Sequence, residues 1–193
     1  MTKKMYFCAM KFTELSLPGL WLVEPVRHGD ARGYFSETFR ADLFAEATGC
    51  SPEWVQENES LSHAGTVRGL HFQAGDAAQA KLVRVCRGRI VDVVVDLRRD
   101  SPTFGRHCAV ELSADNGRQL FVPRGMAHGF AVLSDEVVFL YKVDNYYCPS
   151  AERTIALDDP ALAISWPLPE EERLLSAKDR RGMSWQEFVE SGE

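Results

Sequence analysis

The feature that most constrains the fold is a series of short strand-like segments in the middle of the chain. Runs of β-branched and aromatic residues recur between residues 19 and 143, and Gly, Pro, Asp and Ser interrupt them about every 8–12 residues. This spacing is typical of an all-β sandwich or barrel. Helical patterns are confined to RADLFAEATG at 40–49, which ends at a capping glycine, and to a short stretch around 184–189.

Two local patterns add detail to this expectation. Arg87-Gly88 separates two strand-like runs and predicts a tight hairpin turn between them. In the second run, RIVDVVVDLR, Asp92 and Asp96 fall on one face of the strand and the odd-numbered valines on the other. Two carboxylates on one face of such an apolar strand indicate either a solvent-facing surface or a polar cavity.

Length, charge and cysteine content place the chain in a broad class. The 193 residues are expected to form one domain spanning 1–193. A net charge of −6 provides no general attraction to nucleic acid or to anionic membranes. The five cysteines include no CxxC pair, so reduced thiols in a cytoplasmic protein are expected. Only six residues separate the N-terminal lysines from Lys11, too few for the apolar region of a signal peptide.

Two glycine–histidine spacings resemble the paired motifs of cupins, small jelly-roll barrels that usually hold a metal ion. The second motif is complete in the segment 117–128, whereas the first has His71 but carries Gln73 where a second histidine belongs. Two histidines without a carboxylate in register are too few for a divalent metal site. We therefore predict a cupin-type jelly-roll barrel with a few short peripheral helices, in which His71 and His128 face the interior without a metal.

Eight blocks of the sequence occur in the order found in one enzyme family. They are RGYFSETF, WVQENESLS, VRGLHFQ, AKLVRVCRGRIVDVVVDLR, SPTFG, PRGMAHGF, LYKVDNYY and LSAKD. Over about residues 17–180 the chain resembles the dTDP-4-dehydrorhamnose 3,5-epimerases. The resemblance implies a homodimer that uses no metal or other cofactor. It also implies inversion of carbons 3 and 5 of dTDP-4-dehydro-6-deoxy-glucose, on the way to dTDP-L-rhamnose.

The resemblance also implies the catalytic residues. His71, which the residues alone leave open between a structural, metal-binding and basic role, matches the proton acceptor, and Asp179 matches its carboxylate partner. Tyr141 matches the proton donor. Histidine titrates near neutral pH, and a phenol with a pKa of about 10 stays protonated there, so both residue types suit proton transfer next to a ketone.

Two further residues are candidates for stabilising the enolate or the keto oxygen. Lys81 and His128 occupy matched positions in their blocks, and a fixed cation or donor lowers the energy of an enolate. From the strand faces we also expect Asp92 to pair with Lys81 inside the barrel.

The remaining matched positions resemble contacts to the nucleotide sugar, and three of them are cations that suit a diphosphate. They are Arg32, Glu37, Gln56, Glu57, Asn58, Arg68, Glu152 and Lys178, with Phe35 and Tyr147 as aromatic side chains that would stack on a base or sugar ring. Dimers of the family exchange N-terminal strands, so Arg32 is expected to reach the site of the neighbouring protomer.

One spacing in VRGLHFQ predicts an irregular strand. Arg68 and His71 are three residues apart, so a regular strand would direct them to opposite faces. Because both are expected to face the substrate, we predict a bulge or kink at Gly69 and an irregular ladder over 68–70.

Other functions fit the same residues. They are epimerisation at carbon 3 or carbon 5 alone, the same chemistry on a different nucleotide sugar, a ketoisomerase of related fold, a metal-dependent cupin enzyme, and a sugar-binding cupin without catalysis. The sequence alone separates these poorly, and it leaves the order of the two epimerisations and the physiological pathway open.

Overall fold

The computed structural model describes residues 10–192, which consist mainly of antiparallel strands. Residues 1–9, which include Cys8 and most of the N-terminal segment considered above, lie outside the described residues. The strands are β1 (Lys11–Glu14), β2 (Trp21–Glu24), β3 (His28–Asp30), β4 (Gly33–Phe35), β5 (Gln56–His63), β6 (Val67–Gln73), β7 (Lys81–Arg87), β8 (Arg89–Asp96), β9 (His107–Ser113), β10 (Gln119–Val122), β11 (Met126–Val132), β12 (Glu136–Val143) and β13 (Glu152–Thr154).

Two sheets face each other and form the barrel. Sheet I has the strand order β1-β2-β10-β7-β12-β5, and sheet II has the order β13-β6-β11-β8-β9. The hairpin β3–β4 stands apart from both. Non-consecutive neighbours within each sheet mean that the chain crosses repeatedly between the two, as in a jelly roll. The prediction of an all-β, cupin-type barrel is confirmed.

Both predicted helices are present. Helix α1 (Ala41–Thr48) ends at Gly49, which is left-handed and donates its N–H to Ala45 O at 2.9 Å. Helix α2 (Trp185–Ser191) begins with a capping box between Ser184 and Glu187. No helix within residues 10–192 is long and apolar enough to cross a membrane.

The space between the sheets is filled by alternate side chains of the facing strands. Val83, Val94 and Phe130 belong to this interior cluster, together with Phe139. Phe130 comes from β11 in sheet II and Phe139 from β12 in sheet I, and their rings stack with centroids 4.6 Å apart. This aromatic pair therefore spans the barrel from one sheet to the other.

The outer face of sheet II is covered by the C-terminal part of the chain. The odd-numbered valines of β8 pack there against Ile155, Trp166 and Phe188. Since β8 is covered on both faces, it reads as an almost continuous apolar run.

The two acidic residues of β8 are fully buried and have separate environments. Asp96 accepts hydrogen bonds from Arg98, Ser101 and Thr103 and so holds the loop after the strand. Asp92 lies deeper, on the interior face of β8.

The prediction of a hairpin at Arg87-Gly88 is wrong. Strand β7 pairs with β10 and β12 in sheet I, whereas β8 pairs with β11 and β9 in sheet II. Gly88, with φ +81°, turns the chain from one sheet to the other, and a Cβ there would lie 2.1 Å from Glu136 O. Strand-like runs around a tight turn do not specify whether the two runs pair with each other.

Candidate active site

A cavity of about 240 Å³ lies between the two sheets. Strands β6 and β11 of sheet II and strands β7 and β12 of sheet I contribute to its wall. Of the residues predicted from sequence, the structure brings eight together around it: Arg68, His71, Lys81, His128, Tyr141, Tyr147, Glu152 and Lys178.

Strand β6 is irregular where the sequence predicted a bulge. His71 pairs with His128 and Arg68 pairs with Phe130, so two residues of β6 face the single residue Gly129 of β11. Gly69 has φ +118°, and the peptide bond to the next residue is cis. The shift places Arg68 and His71 on the cavity side, and the predicted irregularity is confirmed.

His71 is held by a buried carboxylate from the C-terminal part of the chain. Its Nε2 lies 2.5 Å from Oδ1 of Asp179, whose side chain is only 3% exposed. With Nε2 donating to this carboxylate, Nδ1 is left as the nitrogen that can accept a proton. Burial lowers the pKa of His71, and Asp179 opposes this shift. A neutral imidazole in a fixed orientation results, which is the state that a general base requires.

The pKa of Asp179 lies below its ordinary value although the group is buried. Burial alone would raise it, but hydrogen bonds from His71 and Ser176 stabilise the carboxylate and outweigh that effect. Asp179 therefore stays ionised and can stabilise a protonated His71.

A second histidine–carboxylate pair lies deeper in the cavity. His128 Nε2 is 2.8 Å from Asp92 Oδ2, and Asp92 Oδ1 has no hydrogen-bond partner among residues 10–192. Asp92 and Lys81 attract each other inside the barrel, but the expected direct contact between them is not made among the described residues: Asp92 meets His128, and Lys81 donates to the backbone oxygen of His71. Burial raises the pKa of Asp92.

Lys81 is a buried cation that lines the same cavity. Its Nζ donates to the backbone oxygen of His71 at 3.3 Å. Burial lowers the pKa of Lys81 to about 8, against the attraction of Asp92 and Glu152. The ammonium group is therefore still largely protonated at pH 7 and provides positive charge inside the cavity.

Tyr141 lines the cavity from the opposite sheet. It is half-buried on β12, with its ring against that of Phe139. Burial raises its pKa, so the phenol keeps its proton at neutral pH. His71 and Tyr141 therefore line the cavity from opposite sides, with His71 on sheet II and Tyr141 on sheet I.

The rim is formed by a linked set of polar residues. Lys178 Nζ lies 2.7 Å from Glu152 Oε1, and Tyr147 donates its hydroxyl to Glu152 Oε2 at 3.2 Å. Arg68 donates to Ser62 Oγ at 2.9 Å. The rim thus presents two cations and an aromatic ring to the cavity mouth.

Two predicted contact residues lie beside the cavity without lining it. Gln56 donates to Asn58 Oδ1 at 2.8 Å and accepts from the backbone N–H of Tyr147 at 3.2 Å. Asn58 is paired in register with Tyr141. These two side chains therefore support the segments that carry Tyr147 and Tyr141.

Four predicted contact residues are not brought to the cavity within one chain. Arg32 pairs with Asp30, and Phe35 on the same hairpin is 68% exposed. Glu37 lies 4.0 Å from Arg40. Glu57 is on the other face of β5 from Asn58 and pairs with Lys142 at 2.9 Å.

Comparison with known proteins decides the family. A profile described as dTDP-4-dehydrorhamnose 3,5-epimerase matches residues 14–187. The chain belongs to this family. The epimerase of that name from Pseudomonas aeruginosa is 48% identical over 176 residues, which cover 91% of this chain and 96% of the relative.

Solved structures of epimerases are similar over nearly the same length. A dTDP-6-deoxy-D-glucose-3,5-epimerase from Legionella pneumophila, in complex with dTDP-4-keto-L-rhamnose, is 44% identical with a TM-score of 0.87 and covers 91% of this chain and 93% of its own. ChmJ, a 3'-monoepimerase from Streptomyces bikiniensis in complex with dTDP-quinovose, is 36% identical with a TM-score of 0.86 and covers 92% and 89%.

Several residues of this epimerase cavity were missed from the sequence. Ser60, Gln73, Phe130 and Phe139 line it as well. Each stands two residues from a residue that the sequence did single out, on the same face of the same strand, so strict alternation would have found them. Gln73, at the position where a metal cupin has histidine, accepts from the backbone N–H of Cys148 at 2.9 Å.

Proposed function

We propose that this protein converts dTDP-4-dehydro-6-deoxy-α-D-glucose into dTDP-4-dehydro-β-L-rhamnose by inverting carbons 3 and 5. The observation that carries the proposal is the arrangement of His71–Asp179 and Tyr141 on opposite walls of one cavity. Inversion next to a ketone requires a base on one face of the sugar and an acid on the other, and side chains suited to these two roles line the cavity from the two facing sheets.

His71 acts as the base. Its Nδ1 removes the hydrogen from a carbon beside the 4-keto group, and the resulting imidazolium is stabilised by Asp179 at 2.5 Å. Electrons of the broken C–H bond move toward the keto oxygen and form an enolate. A positioned base of this kind contributes roughly 10²–10⁴-fold to the rate.

Lys81 stabilises the enolate. It is buried and positively charged below a pH of about 8, so its field acts in a region of low dielectric constant. His128, fixed by Asp92, adds a polar contact to the sugar from the cavity floor. Both groups are held before the substrate arrives, which reduces the reorganisation needed during proton removal.

Tyr141 acts as the acid. A phenol whose pKa is raised by burial keeps its proton at neutral pH and can donate it to the carbanionic carbon from the face opposite His71. Protonation there inverts the carbon, whereas return of the proton from the base would restore the starting configuration. The reaction needs no redox step, and the proposal includes neither a metal nor another cofactor.

The nucleotide part of the substrate extends from the rim. Arg68 and Lys178 are the cations placed to meet the diphosphate, and Tyr147 offers a ring for stacking. Gln56 and Asn58 contribute through the segments that they support or through direct contacts.

We also propose a homodimer with exchanged N-terminal strands, which would complete the site. The hairpin β3–β4 exposes Tyr34 at 62% and Phe35 at 68%, an apolar surface that suits a protein contact. In such a dimer Arg32, Phe35 and Glu37 would reach the substrate that is bound by the neighbouring protomer. Glu57 would lie behind the substrate that is bound by its own protomer. The working unit is then two copies of one cupin domain, in the cytoplasm.

Mixed dimers test the shared site. Arg32→Ala and His71→Ala dimers are each expected to be nearly inactive. After mixing and subunit exchange, half of the dimers combine the two variants, and one of their two sites has no substitution. Activity should recover to about a quarter of wild type. The composite site would be disproved if the protein sediments as a monomer, or if activity does not recover although subunit exchange has been demonstrated.

Solvent exchange tests the reaction itself. The wild-type protein is incubated with dTDP-4-keto-6-deoxyglucose in D₂O and the product is analysed by NMR. Deuterium at both carbon 3 and carbon 5 with inversion supports the 3,5-epimerase. Similarity to the 3'-monoepimerase ChmJ makes single-carbon epimerisation the second candidate, and it predicts label at one carbon alone. A shifted ketone would identify a ketoisomerase instead.

A further inference from the structure

The carboxylate of Asp179 has a second side-chain donor besides His71. Ser176, in the same LSAKD turn, donates from Oγ to Asp179 Oδ2 at 2.7 Å, while His71 meets Oδ1 at 2.5 Å. The same Oγ accepts the backbone N–H of Asp179 at 3.1 Å. Because the hydroxyl oxygen accepts a hydrogen bond from this amide, its own proton points in another direction, toward the carboxylate oxygen Oδ2.

Both oxygens of Asp179 are therefore occupied, and the backbone N–H of Gly69 also faces the carboxylate. An aspartate whose second oxygen is held has little freedom to rotate about χ2, so its first oxygen keeps one direction. This direction fixes the geometry of the hydrogen bond from Nε2 of His71 to Asp179. The orientation of the imidazole ring follows from it, and so does the direction in which Nδ1 points in the cavity.

We propose that Ser176 is a positioning residue, whose hydroxyl holds the Asp179 carboxylate in the orientation that aligns His71 for proton removal. The proposal rests on the role of His71 as the base. Ser176 is not among the described residues that line the cavity, so it acts through Asp179 and not on the substrate.

The charged groups around His71 are distinct from this neutral donor. Asp179 faces it from the C-terminal turn, Lys178 from the same turn and Lys81 from sheet I, and Glu152 lies on the neighbouring strand β13. None of these changes in Ser176→Ala, so an altered titration of His71 in that variant reports the lost hydroxyl.

Loss of the Ser176 hydroxyl should shift the pH dependence of the reaction in one definite direction. Without the donor, the negative charge of Asp179 is less stabilised and the His71–Asp179 pair holds its proton to a higher pH. In Ser176→Ala the acid limb of the kcat/KM profile therefore moves to higher pH. We expect kcat to fall about 10- to 100-fold, the scale of a lost hydrogen bond to a charged group, with a much smaller change in KM.

Three further variants separate positioning from simple capping of the turn. Ser176→Thr keeps both hydrogen bonds and should restore kcat to within a few-fold of wild type. Ser176→Asp keeps an acceptor for the backbone N–H but cannot donate to Oδ2, so it should be at least as slow as Ser176→Ala. Ser184→Ala removes a capping hydroxyl at α2, away from the cavity, and should lower Tm while leaving kcat unchanged.

The ¹⁵N shifts of His71, followed against pH without substrate, give a readout that does not depend on activity. We expect the titration of His71 to move to higher pH in Ser176→Ala and to return in Ser176→Thr. An unchanged titration and an unchanged kcat in Ser176→Ala, or wild-type activity in Ser176→Asp, would overturn the proposal and leave Ser176 as a turn cap. Absence of deuterium exchange in the wild type would instead reject the proposed function, and the shifted titration would still support the positioning of His71.

Discussion

Gly69 is the position at which a single added methyl group should do most damage to the site. A Cβ there would lie 2.5 Å from Gly129 Cα and 2.8 Å from His128 O. Both are backbone atoms, so the strands β6 and β11 must separate to accommodate it. Gly129 offers no relief, since a Cβ on it would itself lie 2.6 Å from Arg68 O.

The cost of Gly69→Ala has two parts. Overpacking against backbone costs about 1–3 kcal/mol, and a residue with a side chain at φ +118° adds strain of about 1–3 kcal/mol. The sum of roughly 2–6 kcal/mol corresponds to a fall in Tm of roughly 5–20 °C for a chain of this size. Because the displaced strands carry His71 and His128, kcat/KM should fall even where the protein remains folded.

Thermal unfolding of the purified Gly69→Ala variant measures the fall in Tm, and steady-state kinetics measure the fall in kcat/KM. Gly49→Ala is the matched control: Gly49 also has positive φ, but nothing lies within 4 Å of its added Cβ, so only the strain remains. Equal Tm losses in the two variants, together with wild-type kcat/KM in Gly69→Ala, would refute the close approach of β6 and β11 as the reason for the glycine.

Three other predictions concern the reacting groups. His71→Ala should lose deuterium exchange at both carbons with an unchanged circular dichroism spectrum, and retained exchange would remove His71 as the base. Tyr141→Phe should exchange label without inversion, since His71 can return the proton but nothing donates from the other face; full inversion by NMR would contradict this role. For Lys81, the folded pKa of about 8 lies below the ordinary 10.5, so folding disfavours its charge and the free energy of unfolding should rise between these pH values, by roughly 3 kcal/mol. Urea unfolding at several pH values should show this rise in wild type and not in Lys81→Met. If the free energy of unfolding rises with pH equally in both proteins, the rise belongs to another group.

The sequence predicted the strands, the helices and the bulge because each depends on local spacing. Arg68 and His71 are three residues apart with a glycine between, and that alone required an irregular ladder. The pairing of His71 with Asp179 spans 108 residues and came only from the family resemblance.

Two predictions about neighbouring groups depended on more than local spacing. Reading Arg87-Gly88 as a hairpin assumed that β7 and β8 lie side by side, and expecting a direct contact of Asp92 with Lys81 assumed that no other partner lay nearer to the carboxylate. Alternation of side chains tells which face a residue occupies, but it contains no information about which strand lies next to it. The chain crosses between sheets at Gly88, and β11, the neighbour of β8 in sheet II, presents His128 to Asp92.

The stacked pair Phe130–Phe139 has a consequence for the shape of the cavity. Its rings bridge the sheets that carry His71 and Tyr141, and Phe139 also contacts the rings of His128 and Tyr141. Both rings line the cavity as well, so the same two side chains keep the sheets apart and limit the space between them. A smaller residue at either position would leave a larger cavity without replacing any titratable group, because the surrounding structure relaxes only partly around a void.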